Sequence, residues 1–150
     1  MPPGRMLLIL DLNGTLAHRV VKKERRLVSA NPWIIRPPDA VFDGQQVYLR
    51  PGLDSFLDAI FKVFDVGIWT SAMPKNAGSL AKKVLRRNAD GLAFCLDRSH
   101  CSEVSNGRDH SSVKDLRKLW QDSKWNMVCQ ALPLFEIAFV SRRPIYKPPV

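Results

Sequence analysis

The residues best suited to chemistry follow an apolar run near the start of the chain. Met6 to Leu10 is continuously apolar and leads directly into Asp11, Asn13, Gly14 and Thr15. A carboxylate at the carboxyl end of a buried parallel strand lies in the crevice where open α/β sheets bind ligands, and a glycine lets the chain turn away there. Asp11 is therefore a candidate for phosphoryl chemistry. The alternative is an ordinary strand in which Asp11 and Asn13 only cap the following turn.

The elements that must position Asp11 alternate between strands and helices, which favours an α/β fold with a parallel sheet. The predicted strands are Met6 to Leu10, Phe64 to Trp69 and Ala93 to Leu96. Pro51 is expected at the first position of an amphipathic helix. The apolar residues of that helix, which we expect to pack on the sheet, are Leu53, Phe56, Leu57, Ile60 and Phe61.

Later helices and the connecting segments follow from prolines and polar runs. Pro74 is expected to open a helix from Lys75 to Arg87, and Val113 to Trp120 is expected to start another. Arg19 to Asp43 is a basic insertion whose prolines favour irregular structure or short edge strands, lying as a loop over the site. Ser102 to Ser112 is polar and contains a glycine, which predicts a loop.

Composition fits one domain, because 150 residues with 45% hydrophobic content can bury a sizeable core and leave little room for a second. The formal charge of +9 suits a phosphorylated or acidic partner, although charge runs are more often solvated faces. Specific nucleic-acid binding is not expected.

Cys95, Cys101 and Cys129 form no zinc-binding pattern and are expected to be reduced thiols. The first apolar run is too short to be a secretory signal or to span a bilayer.

Several segments in order resemble the haloacid dehalogenase superfamily, in the branch of RNA polymerase C-terminal-domain phosphatases and NLI-interacting-factor-like phosphatases. The first is Asp11 to Leu16, and the second is the Arg-Pro-x-x-x-x-Phe-Leu pattern within Tyr48 to Leu57. The third is Ile68 to Ala72. The last is Val113 to Leu119, preceded by Arg98 to Cys101. The resemblance covers about residues 6–125 and implies a doubly wound parallel sheet with helices on both faces.

The resemblance also implies roles for individual residues. Asp11 would be the nucleophile that forms an aspartyl-phosphate, while Mg²⁺ would bind Asp11 and the backbone carbonyl of Asn13. Thr70, Ser71 and Lys114 would bind the phosphoryl oxygens, with Lys114 neutralising their charge.

Arg98 would contact the substrate. The plain alternatives are that Thr70 caps a strand end and that Lys114 is solvated.

Asn13 departs from the family pattern. Active members of the family carry a second aspartate at this position, and an amide cannot donate or accept the proton that general acid-base catalysis requires. The sequence Asp-Leu-Asn-Gly-Thr also resembles the Asp-Lys-Thr-Gly-Thr of P-type ATPases, which form a phosphoaspartate without that second aspartate. Asn13 therefore predicts impaired turnover without forbidding the first step.

The carboxyl-terminal end is a second departure. An acidic pair is expected on the strand after the Lys114 helix, yet no aspartate follows Asp122, and Glu136 is the one acid in residues 123–150. Mg²⁺ binding is therefore expected to be weak or lost. We predict a phosphatase-like domain in residues 1–125, a divergent tail in residues 126–150, and a sheet that is incomplete and exposes an edge at this end.

The sequence leaves several functions open. They are an intact phosphatase hydrolysing phosphoproteins with Mg²⁺, a degenerate member that binds without turnover, and a truncated fragment. The two departures favour the degenerate member that binds without turnover. One protein-binding alternative is the presequence-receptor subunit of the mitochondrial inner-membrane translocase. Only five residues precede the first strand, so no membrane anchor is expected. The expected address is intracellular, with nucleus or cytoplasm favoured over mitochondrion, and the oligomeric state is undetermined.

Overall fold

The computed structural model describes residues 5–20, 24, 37–105, 110–121 and 139–140. Its central feature is a parallel sheet built from the strands β1 (Met6–Leu10), β5 (Phe64–Trp69), β6 (Phe94–Leu96) and β9 (Phe139–Val140). The order across this sheet is β6-β5-β1-β9, and every neighbouring pair is parallel. Strand β1 thus lies inside the sheet, and its carboxyl end opens into the crevice.

Two α-helices cover one face of the sheet, and a third α-helix lies on the opposite face. Helix α1 (Leu53–Val63) and helix α2 (Pro74–Leu85) bury Leu57 and Leu80 in a cluster with Leu8 and Leu10 of β1. Helix α3 (Arg117–Gln121) contributes Leu119 to a separate cluster on the other face. Alternate residues of β1 face opposite sides of the sheet, so the continuous apolar run supplies both cores. This is the doubly wound α/β fold that the sequence predicted.

The start of α1 differs from the prediction. The helix begins at Leu53, and its N-cap is Gly52 at φ 75°, a left-handed conformation that favours glycine. Pro51 therefore lies in the turn before the helix rather than at its first position. Phe56, which we expected on the packed face, is 44% exposed.

Helix α2 also ends earlier than predicted. Arg86 adopts φ 52° after Leu85, and a 3₁₀ helix then spans Arg86–Gly91.

At the sheet, a Cβ atom on Gly67 would lie 2.3 Å from the Phe94 ring. Gly67 in β5 therefore lets the Phe94 ring of β6 pack directly on the backbone of β5.

The insertion after Asp11 forms short strands. Strands β2 (Ala17–Val20), β3 (Ala40–Phe42) and β4 (Gln45–Leu49) make an antiparallel sheet in the order β2-β4-β3. This confirms short strands at its two ends. The expected loop over the site falls mostly in residues 21–36, which, apart from Glu24, lie outside the described residues.

The segment before Lys114 is a hairpin rather than a loop. Strand β7 (Ser102–Ser105) pairs antiparallel with β8 (His110–Val113), after a short 3₁₀ helix over Arg98–His100. The prediction of a helix from Val113 was wrong, because Val113 ends β8 and α3 begins only at Arg117. The two strands of the hairpin are held together by backbone pairing. Their mostly polar sequences lack the alternation of apolar and polar residues by which a strand is predicted.

At the carboxyl-terminal side, the expected exposed edge of β1 is paired for a short distance. Phe139 lies opposite Ile9 and Val140 opposite Leu10, so residues from the divergent tail occupy this edge. Cys95 and Cys101 are free thiols, whereas Cys129 and Glu136 lie outside the described residues. Throughout the described part of the chain, helices are too short or too polar to cross a bilayer.

Candidate functional site

Asp11 lies at the carboxyl end of β1, with β5 and β9 on either side. Its side chain is 13% exposed, so the carboxylate is mostly withdrawn from water. The N–H of Leu12 donates to its Oδ1 atom over 2.8 Å, which orients the group. The strand thus presents a partly desolvated carboxylate at the position where α/β sheets bind ligands.

Lys114 contacts this carboxylate. Its Nζ atom lies 3.0 Å from Asp11 Oδ1, and its side chain is 10% exposed. The predicted proximity is confirmed, and the solvated alternative is wrong, although Lys114 sits in the loop before α3 rather than at a helix start. Both described contacts of the carboxylate are made to Oδ1.

Thr70 follows β5, the strand beside Asp11. Leu10 pairs with Ile68, so Asp11 and Thr70 leave adjacent strands at the same edge of the sheet. Thr70 is only 1% exposed, and its N–H donates to the Leu96 carbonyl over 2.9 Å.

The Thr70 hydroxyl oxygen accepts the Ala72 N–H at 3.2 Å, so the residue does cap the turn. A hydroxyl oxygen that accepts one hydrogen bond can still donate its own proton. Ser71, the next residue, is exposed. The cap and the phosphate-binding interpretation of Thr70 are therefore compatible.

Arg98 approaches this turn through its backbone. Its N–H donates to the Ala72 carbonyl over 2.9 Å, and its side chain is exposed. Asp97 caps the turn by accepting the Ser99 N–H at 2.8 Å and lies 3.2 Å from His100 Nδ1. Burial opposes ionisation of Asp97, but the hydrogen bonds from Ser99 and His100 outweigh it and lower the pKa of its carboxyl group.

Asn13 is exposed on the loop that follows Asp11. Its Oδ1 atom accepts the backbone N–H of Arg19 over 3.1 Å, which ties the side chain to β2. A carboxylate could accept the same hydrogen bond, so the replacement of aspartate by asparagine leaves this local structure intact. The loss concerns proton transfer, because an amide is neither an acid nor a base near neutral pH.

The donors for a cation in the crevice are few. Asp11 offers a carboxylate and Asn13 a backbone carbonyl, and the described residues contain no cluster of three or more histidine, cysteine, aspartate or glutamate side chains suited to a metal ion. Mg²⁺ commonly binds one or two carboxylates together with waters and substrate phosphate. The residues present therefore fit a Mg²⁺ ion that is held by one carboxylate and has waters and a substrate phosphate oxygen as its other ligands.

Arg50 is a residue at the site to which the sequence assigned no role. Its side chain donates to the carbonyls of Gly14 and Thr15 in the loop that follows Asp11. The Arg-Pro pair before a helix was visible in the sequence, but nothing in the pattern shows where the guanidinium turns.

Comparison with known proteins supports the fold and family. The family model described as NLI interacting factor-like phosphatase matches residues 6–129. An uncharacterized FCP1 homology domain-containing protein of Schizosaccharomyces pombe is 27% identical over 122 residues, covering 79% of this chain and 45% of the relative. A Dictyostelium discoideum protein described as a probable C-terminal domain small phosphatase is 29% identical over 132 residues, covering 87% and 40%. The chain thus spans less than half the length of these curated relatives.

Among solved structures, an arginine-to-alanine variant of the fission yeast RNA polymerase II CTD phosphatase Fcp1, bound to beryllium fluoride, matches with a TM-score of 0.51. The sequences are 20% identical, and the match covers 79% of this chain and 35% of that chain, which supports the shared fold alone. These matches give no support to the translocase alternative.

Proposed function

Since the chain belongs to the NLI interacting factor-like phosphatase family, we propose that its crevice takes up the phosphoryl group of a phosphorylated protein segment, with Asp11 as the nucleophile. The observation that carries this proposal is the contact of 3.0 Å between Lys114 Nζ and Asp11 Oδ1 at the carboxyl end of β1. A lysine held there can offset the charge of an incoming phosphate dianion. The net charge of +9 also favours an acidic partner.

In the first step, a carboxylate oxygen of Asp11 attacks phosphorus, and the bond from phosphorus to the leaving oxygen breaks. The leaving oxygen takes the electron pair, and the phosphoryl group becomes an aspartyl-phosphate on the protein. Lys114 and the Thr70 hydroxyl would stabilise the charge on the phosphoryl oxygens. Ser71 and Arg98, at the same rim, would contact the phosphate and the surrounding substrate.

The Asp11 carboxylate and the Asn13 backbone carbonyl are the groups that would hold Mg²⁺. Bound there, Mg²⁺ supplies charge neutralisation between the carboxylate and the phosphate, which otherwise repel each other. With one carboxylate at the site, we expect weak binding in the absence of phosphate and tighter binding once a phosphoryl oxygen is present.

Asn13 limits both ends of the reaction. It cannot protonate a serine or threonine alkoxide as it leaves, and it cannot take a proton from the water that would hydrolyse the aspartyl-phosphate. Such proton transfer is typically worth ~10²–10⁴ in rate. Aryl phosphates need less help because their phenolate leaves unaided. We therefore propose that the chain accepts a phosphoryl group from activated esters and turns over poorly, if at all, on phosphoserine.

The test is to incubate the protein with p-nitrophenyl phosphate and saturating Mg²⁺ and to look for a phosphate adduct on Asp11 by mass spectrometry. Steady-state release of phosphate from a phosphoserine peptide is measured in parallel. An adduct without peptide turnover supports the proposal. Peptide hydrolysis at ordinary enzymatic rates of ~1–10³ s⁻¹ would contradict the role given to Asn13, and absence of the adduct would contradict the role of Asp11 as the nucleophile.

A further inference from the structure

Arg50 binds the backbone of the loop that carries the proposed nucleophile. Its Nη2 atom donates to the Gly14 carbonyl over 2.9 Å, and its Nε atom donates to the Thr15 carbonyl. The backbone N–H of Arg50 donates to the next carbonyl, that of Leu16, over 3.1 Å. Three consecutive carbonyls after the Asp-Leu-Asn segment are thus held by one residue at the end of β4.

These contacts fix the direction of peptide groups next to the site. The Gly14 N–H donates to the Ala17 carbonyl over 2.7 Å. In a trans peptide, the carbonyl of the preceding residue points the opposite way, so the Asn13 carbonyl faces away from Ala17. The following peptide group, which carries the Gly14 carbonyl, is held by Arg50. The orientation of the proposed Mg²⁺ ligand, the Asn13 carbonyl, therefore depends on both contacts.

Leu12 and Leu16 are buried in the core and anchor the loop by packing, whereas the carbonyls of Gly14 and Thr15 between them are held by the guanidinium. A cavity of about 450 Å³ lies against this loop, lined among the described residues by Leu10, Thr15, Leu16, Arg50 and others. The side of the loop that borders the cavity makes fewer van der Waals contacts than the side that packs in the core. The planar guanidinium offers donors in a rigid fork, which suits two adjacent carbonyls better than a single flexible ammonium would.

We propose that Arg50 is a positioning residue for the nucleophile, which it holds in register through the Gly14 and Thr15 carbonyls. It is not a catalytic residue, because its guanidinium binds the loop backbone rather than the carboxylate. This inference rests on the proposed function for its catalytic consequence, whereas the clamp itself is testable without any chemistry. Displacement of a reacting group by 1 Å can cost about 10²-fold in rate.

The structural arm of the test measures backbone hydrogen exchange of the full chain and of Arg50→Gln. We expect exchange in residues 12–17 to rise at least about 10-fold, while that of β1 and β5 stays unchanged. Lys114 is acetylated in parallel, and its rate relative to the other lysines should rise if Asp11 moves away from it. Arg86→Gln is the matched control, because it removes an exposed guanidinium that pairs with Asp54 at 2.8 Å on the neighbouring helix.

The chemical arm measures aspartyl-phosphate formation from p-nitrophenyl phosphate. In Arg50→Gln the rate constant at saturation should fall about 10²-fold, while the half-saturating concentration of the ester stays the same. Arg50→Lys should lie between the two, because it keeps a cationic donor but loses the fork. It also supplies a folded variant if Arg50→Gln is unstable.

The two proposals fail in different ways. If the unmodified chain forms no adduct, the proposed function fails, and hydrogen exchange with Lys114 labelling still decides whether Arg50 positions the loop. If exchange in residues 12–17 and labelling of Lys114 change no more in Arg50→Gln than in Arg86→Gln, the clamp is wrong whatever the chemistry shows. A change in the half-saturating concentration with an unaltered saturating rate would assign Arg50 to substrate binding instead.

Discussion

The crevice has two halves that differ in how far they match an active phosphatase of this family. The half that we propose to bind phosphate, called here the phosphate-binding half, is formed by Thr70, Ser71, Arg98 and Lys114 and keeps the residue types that the resemblance implies. The metal and proton-transfer half has Asp11 but carries an amide at Asn13. Under the proposed roles, taking up a phosphoryl group and releasing it depend on different residues, so that one capacity would be lost while the other persists.

Thr70 and Arg98 in one half, and Asn13 in the other, are held by different hydrogen bonds. Thr70 and Arg98 are held by backbone hydrogen bonds to Leu96 and Ala72, within the turns that follow β5 and β6. Asn13 is held by a hydrogen bond from the Arg19 N–H to its side-chain oxygen, which an aspartate could accept equally well. The halves meet where Lys114 Nζ lies 3.0 Å from Asp11 Oδ1, a contact that does not involve the Asn13 side chain. A substitution that abolishes acid-base chemistry can therefore leave the phosphate-binding half intact.

The largest expected effect is that of Asp11→Asn, which removes the proposed nucleophile. Both the uptake and the release of the phosphoryl group depend on it. Formation of the adduct from p-nitrophenyl phosphate should fall below detection, because an amide oxygen does not displace the ester. Intact-protein mass spectrometry measures this. Asp54→Asn is the control, since Asp54 lies on α1 and pairs with Arg86. A phosphate adduct that survives in Asp11→Asn would mean that another residue is the nucleophile.

A gain of function should sharpen the contrast between the halves. Asn13→Asp alone should leave phosphoserine turnover near background, because the metal donors stay incomplete. Val140 pairs with Leu10, the residue before Asp11. We expect Asn13→Asp combined with an acidic pair at the two sequence positions after β9, Ser141→Asp and Arg142→Asp, to raise peptide turnover by ~10²–10⁴, the typical value of acid-base catalysis.

Phosphate release from a phosphoserine peptide in Mg²⁺ measures this gain. The control adds Ser141→Asp and Arg142→Asp while retaining Asn13. If Asn13→Asp by itself matched the triple variant, the metal donors already present would be sufficient, and the second departure would not matter.

Within the phosphate-binding half, Lys114→Met should slow adduct formation by ~10²–10³, the usual cost of removing one preorganised charged donor. Lys118→Met is the matched control, since Lys118 lies on α3 and donates to the His100 carbonyl at 3.2 Å on the surface. Equal effects of the two substitutions would show that only net charge matters.

The sequence predicted the parts of the fold that depend on apolar patterning. Strands β1 and β5 begin and end where expected, and the last four residues of each are buried. The start of α1 was missed because Gly52 takes a left-handed conformation that leaves Pro51 outside the helix. Strands β7 and β8 were missed because their stability comes from backbone pairing, which leaves no trace in side-chain hydrophobicity.

At the site, the resemblance identified Asp11 and Lys114, and the structure brings them together. It gave no role to Arg50, because a motif names residue types and not the direction in which a long side chain turns. The pairing of Val140 with Leu10 was also unforeseen. The short tail strand is not distinguished from its apolar surroundings by sequence, and its partner depends on the assembled sheet.

The smallest expected effect concerns the turn that carries Arg98. Asp97 Oδ1 accepts hydrogen bonds from the Ser99 N–H at 2.8 Å and from its hydroxyl at 2.6 Å. Asp97→Ala should cost about 0.5–2 kcal/mol of stability, as for loss of an N-cap. Adduct formation should fall less than in Lys114→Met. Asp97→Asn should lie near the unmodified chain at pH 7, because asparagine caps about as well.

The pH dependence of stability separates the cap from the charge. The hydrogen bonds from Ser99 and His100 outweigh the effect of burial and hold the pKa of Asp97 below its ordinary value of 3.8. A group whose pKa is lowered by folding stabilises the protein above the unfolded-state value, and that stabilisation is lost as pH falls through the folded-state value. The unfolding free energy of the unmodified chain should therefore fall towards that of Asp97→Ala below about pH 4. Denaturant titrations of the unmodified chain, Asp97→Ala and Asp97→Asn from neutral to acid pH measure this, and a constant difference between the first two would show that ionisation of Asp97 does not stabilise the turn.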